Sequence, residues 1–177
     1  MAAGPRERVE RALAKLGIPY QDVSDPEDAS VTAAFFTEAP IGPSGVMPVV
    51  VTLSKEQSDV WVQGGADLPE ADSQTQDRLS AAVDAADSAL RRAPASLFSE
   101  HKLPRFRQRG FDARLSWSPR RRQIVATIVI PASELSAATI AGAIALAARL
   151  GNDAASEIGR AIHEKTHEDE TGGAVQP

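Results

Sequence analysis

Between residues 111 and 130 the sequence leaves the backbone little choice. Phe111, Ala113, Leu115 and Trp117 alternate with Asp112, Arg114 and Ser116. The polar turn Ser118-Pro119-Arg120-Arg121 follows, and then a run rich in β-branched residues over 124–130. A period of two on both sides of a turn predicts an antiparallel hairpin with one face turned to the core. Pro131 ends the second strand because its ring has no N–H for the ladder. The apolar period then changes from two to 3.6. Ile140, Ala143, Ile144, Ala147 and Leu150 fall on one side of a helix over 137–150, with Ser133 or Ser136 placed to cap it. The apolar side of a hairpin has to be covered, and this helix is the nearest cover.

The remainder of the chain supplies the other elements. Pro5 opens a helix over 5–16 whose Val9, Leu13 and Leu16 share a stripe, and Gly17 and Pro19 stop it. Residues 21–30 read as an acidic loop holding Asp22, Asp25, Glu27 and Asp28. A strand is expected over 31–37, a turn region over 39–45, and strands over 46–53 and 60–63. Val49, Val50, Val51 and Leu53 form a nearly continuous apolar run, which predicts a strand buried on both faces. Residues 64–72 read as loop. A helix follows over 73–92, capped by Asp72 or Ser73, with Leu79, Val83, Ala86 and Leu90 inward and Arg91 and Arg92 in its last turn. Residues 95–110 are the least regular stretch. Gly151-Asn152 reads as a stop or a kink, with helix continuing to about residue 163. Residues 164–177 carry no apolar stripe and are expected to be a flexible tail. The order α-β-β-β-α-β-β-α implies one α+β domain over 1–163, with helices on an antiparallel or mixed five-stranded sheet.

Composition narrows the chemistry. The chain has no cysteine, which excludes disulfides, thiolate metal sites and cysteine nucleophiles. No apolar run reaches the roughly 20 residues of a membrane span, and residues 1–17 are charged throughout, without the apolar core of a signal peptide. A cytoplasmic protein without membrane contact is therefore expected. The bias to arginine over lysine and the abundant alanine read as the coding bias of a GC-rich genome. The net charge of −5 hides an acidic stretch over 18–90 and a basic block over 91–122.

Three features carry candidate chemistry. His163-Glu164-Lys165-Thr166-His167 fits H-E-x-x-H, in which two histidines one helical turn apart bind zinc and the glutamate activates its water. The match is incomplete. Glu170 and Gly173 stand where the extended motif has glycine and histidine, and Lys165, Glu168, Asp169 and Glu170 give the polar surround of a solvated helix end. A zinc hydrolase on His163, Glu164 and His167 is thus an alternative reading, and no metal or other cofactor is expected. The basic segment 102–122 is the second feature. Arg105, Phe106, Arg107 and Arg109 precede the hairpin, Arg114 lies in it, and Arg120, Arg121 and Arg122 form its turn. These residues suit an acidic partner protein or peptide. Phosphates with a base stacked on Phe106 are the alternative, and the negative net charge argues against nucleic acid. A solvated, edge-protecting role is the bland reading. The third feature is the small-residue set Ala138, Gly142 and Ala145 on the last helix, which suits close packing on the chain's own sheet or a homodimer contact. No G-x-S-x-G elbow and no phosphate loop occur.

A helix ending in Leu16-Gly17-Ile18-Pro19 opens this order. A late hairpin turns at Trp117-Ser118-Pro119-Arg120, and Ile128-Val129-Ile130-Pro131 leads through Glu134-Leu135-Ser136 into a long alanine-rich helix. Over roughly residues 5–163 the chain resembles the type III secretion chaperone-like fold, which includes the bacterial YbjN-like family. The resemblance implies a non-catalytic module that holds a partner polypeptide, and a dimer. It rests on element order, so it assigns no individual residue a role.

Overall fold

The computed structural model describes residues 3–28, 30–43, 45–56, 58–68, 73–92 and 111–172; the side chains of 73–75 and 163–172 lie outside the described set. Helix α1 (Pro5–Leu16) leads to strands β1 (Tyr20–Asp22), β2 (Val31–Ile41), β3 (Gly45–Ser54) and β4 (Asp59–Asp67). Helix α2 (Ser73–Arg92), the hairpin β5 (Asp112–Ser118) and β6 (Gln123–Pro131), a 3-10 turn (Ala132–Glu134) and helix α3 (Ala137–Gly172) follow. The six strands form one sheet in the order β1-β2-β3-β4-β6-β5, and every neighbouring pair is antiparallel. The fold is α+β.

The sheet has six strands, one more than the sequence predicts. The added strand, β1, lies within the stretch read as acidic loop. It is three residues long and exposed, so it has no apolar alternation to betray it. Non-local bonds define it instead: Gln21 pairs with Phe36, the Val23 N–H donates to the Ala34 carbonyl, and Thr37 Oγ1 donates to the Pro19 carbonyl at 2.7 Å. Strands β2 and β4 also outrun their expected ends. Beyond Thr37 strand β2 has lost its β1 neighbour, so Pro40 sits on an open edge where its missing N–H costs nothing.

Strand β4 runs straight through Gly64-Gly65, which read as loop. Gly64 is there for contact: a Cβ at this position would lie 2.9 Å from the Ala147 carbonyl group. The backbone of α3 rests directly on the sheet. Gly151 of α3 faces the Gly64 carbonyl in the same contact and does not stop the helix. The backbone of α3 remains helical to Gly172, and the boundary expected at 163/164 falls inside it.

Alternate residues of β2 to β6 fill the core. Ala33, Phe35 and Ala39 of β2, Met47, Val49, Val51 and Leu53 of β3, Val60, Val62 and Ala66 of β4, and Ile124, Ala126, Ile128 and Ile130 of β6 are buried. They meet Ile140, Ala143, Ile144, Leu146 and Ala147 of α3, Leu79, Val83 and Leu90 of α2, and Val9 and Leu13 of α1. Each fully buried Leu, Ile or Phe side chain contributes about 1.5–3 kcal/mol. Helix α3 is the central cover, touching β2, β3, β4 and β6, while α2 lies over β5 and α1 against α3. The Arg8 guanidinium ties α1 down by donating to the carbonyls of Ala132 and Leu135, each at 2.9 Å.

Candidate functional site

The three described helices lie on one side of the sheet, and among the described residues no helix covers the other side. The prediction that β3 is buried on both faces is therefore corrected. Met47, Val49, Val51 and Leu53 are buried, but Val46 and Pro48 are exposed and Val50 is half-buried. The apolar run is continuous because a second apolar surface lies behind the core.

Register builds that surface. Phe36, Val50, Gln63, Thr127 and Arg114 stand side by side across five strands, with Gln21 of β1 beyond Phe36. The next row holds Ala34, Thr52, Trp61, Val129 and Asp112. Trp61 is 37 % exposed and Val46 60 % exposed, while Thr52, between Ala34 and Trp61, is only 7 % exposed. A large aromatic left part-way in water on a flat antiparallel surface is the composition of a binding patch.

Within this face lies a depression of about 460 Å³. Phe36, Pro48, Val50 and Val125 supply apolar lining, and Gln63, Ser116, Ser118 and Gln123 supply polar lining. Gln63 Nε2 donates to Thr127 Oγ1 at 3.3 Å, and Gln123 Nε2 to Asp67 Oδ1 at 2.7 Å, so both amides are held in place by side chains. Among the described residues, Arg121 is the single charged residue of the lining. A second cavity, of about 430 Å³, lies beside α3 at the β2–β3 end of the sheet, with Met47, Asp67, Asn152, Ser156 and Arg160 among its walls.

Of the eight residues expected in the basic segment, four are among the described residues. Arg105, Phe106, Arg107 and Arg109 lie outside the described residues. Arg114 is on the open face of β5, where its Nε donates to Asp112 Oδ2 at 2.6 Å; this bond holds the guanidinium pKa above its ordinary value. Arg120, Arg121 and Arg122 form the exposed β5–β6 turn, with Arg122 in the left-handed region at φ 51°. Arg114 and the turn thus occupy different parts of the hairpin, and only Arg121 borders the depression. His163, Glu164 and His167 lie on helical backbone in α3 with side chains outside the described set. Among the described residues no three His, Asp or Glu side chains gather as metal ligands, and no helix is long and apolar enough to cross a membrane. The small-residue stripe does not pack on the sheet: Ala138 and Ala145 are exposed on the outward side of α3.

Family models, curated proteins and solved structures yield no match to this chain. The geometry therefore has to speak alone. It singles out Phe36, Pro48, Val50, Trp61 and Val125, none of which the sequence reading placed in a site. The available signal was the apolar residue at both phases of β3, which fits an uncovered apolar face as well as a doubly covered strand.

Proposed function

We propose that this protein is a non-catalytic, cytoplasmic module that holds a partner polypeptide on the open face of its sheet. The observation that carries the proposal is the apolar surface of Phe36, Val46, Pro48, Val50 and Trp61, which no described helix covers. A flat face with aromatic and aliphatic side chains, polar edges and shallow relief suits a chain lying across it better than a small substrate enclosed in a cleft. The element order that resembles the type III secretion chaperone-like fold and its YbjN-like members supports the same reading, with a bacterial source and a dimer as part of the proposal.

The test is binding of a permanently unfolded reporter chain to the purified protein, followed by fluorescence anisotropy. Binding is expected. It should weaken about tenfold or more in Trp61→Ala, since centrally placed aromatics dominate such interfaces. Binding that is absent, or that Trp61→Ala and Val50→Asp leave untouched, contradicts the proposal.

A further inference from the structure

The open face carries a charge preference. Among the described residues, the lining of its depression contains no carboxylate and a single cation, Arg121. Arg121 makes no hydrogen bond or ion pair with the described chain, in contrast to Arg114 on the same hairpin, which Asp112 holds. It stands on an exposed turn between Arg120 and Arg122. Of the nearby acidic groups, Asp67 accepts from the Gln123 amide, and Glu38, opposite Pro48 in register, is not part of the lining. Among the described lining residues the one charged group is therefore positive, with the exposed Glu38 outside the floor beside Pro48.

We propose that the segment held on this face is an acidic peptide: an extended chain whose apolar side chains lie over Phe36, Val50 and Val125 while a neighbouring carboxylate pairs with Arg121. This rests on the polypeptide-holding reading above. A planar guanidinium receives a carboxylate through two parallel N–H···O bonds, so it fixes the position of the segment as well as attracting it. Gln63, Ser116, Ser118 and Gln123 border the same floor and offer hydrogen bonds to the backbone of the bound chain. The extended form follows from the floor itself. Apolar side chains on alternate residues of a bound strand all point one way, which leaves the intervening carboxylates free to reach the rim.

Three labelled peptides test this on the full-length protein: leucine alternating with glutamate, with glutamine and with lysine. The glutamate peptide should bind most tightly, the lysine peptide most weakly, and added salt should narrow the gap. Arg121→Glu should reverse the order of the two charged peptides. Arg121→Gln should weaken the glutamate peptide about three- to tenfold, the effect of losing one charge-assisted contact at a partly solvated site, and should weaken the glutamine peptide less. Arg121 is on an exposed turn, so an unaltered melting curve will show that both variants fold. Equal binding of all three peptides, or a preference that Arg121→Glu does not move, overturns the acidic-peptide inference and leaves the polypeptide reading standing. Binding of none overturns both.

Discussion

At the scale of single residues, the close approach of α3 to the sheet makes the clearest prediction. Gly64 has no room for a methyl group, because the obstacle is the backbone of Ala147 rather than a movable side chain. Gly64→Ala must push α3 off the sheet and should lower stability by about 1–3 kcal/mol in denaturant unfolding. The cap of α3 is a second such site. Ser136 Oγ accepts the Thr139 N–H at 3.1 Å, so Ser136→Ala should cost about 1 kcal/mol. The acidic loop carries a pH signature. Hydrogen bonds from Ser24 hold the Asp22 carboxyl below its ordinary range, with Arg6 adding to the effect, and Ser30 does the same for Asp28. A carboxyl depressed in the folded chain stabilises it above the ordinary carboxylate range and loses that contribution as pH falls through the depressed value. The loop around β1 should therefore loosen only in strong acid. Carboxyl chemical shifts of Asp22 and Asp28 that titrate at ordinary values would contradict this.

At the scale of elements, legibility followed how much of the signal was local. The β5–β6 hairpin, the inward stripes of α1 and α2, and Ile140, Ala143, Ile144 and Ala147 of α3 could all be read, since periodicity reports directly which side meets the core. Strand β1 could not, because its evidence is a set of bonds to β2 and Pro19 that no window of sequence contains. Gly64 and Gly151 misled for a related reason: glycine signals a turn locally, and only the packed pair reveals a close approach. The edge strand β5 shows another non-local device. Its Leu115 N–H donates to Asp87 Oδ1 of α2 at 2.8 Å, while Asp87 Oδ2 also accepts from Arg91 at 2.8 Å. Sequence reading placed edge protection in the arginines; this carboxylate instead occupies a backbone donor that another strand would use. Asp87→Ala should speed exchange of the Leu115 amide at least severalfold and favour self-association, detectable by light scattering. Asp87→Asn retains an acceptor oxygen and should behave closer to the parent.

At the scale of the whole molecule, the sheet divides labour between its faces. The covered face maintains the fold: truncating Ile128 to Ala should cost about 2–5 kcal/mol. The open face is less deeply buried, so Trp61→Ala should cost less stability than Ile128→Ala while weakening polypeptide binding about tenfold or more. The candidate site was half legible. Arg121 stood in the expected basic segment, but the apolar floor beside it was hidden, because a strand with apolar residues at both phases does not say which face is covered. The most direct test of the whole account is the NMR footprint of the leucine–glutamate peptide on the isotope-labelled protein. Shifts concentrated on Phe36, Val50, Trp61, Val125 and the Arg121 turn are predicted. Shifts gathered instead on the outward side of α3, or in the cavity beside Asn152 and Ser156, would contradict it.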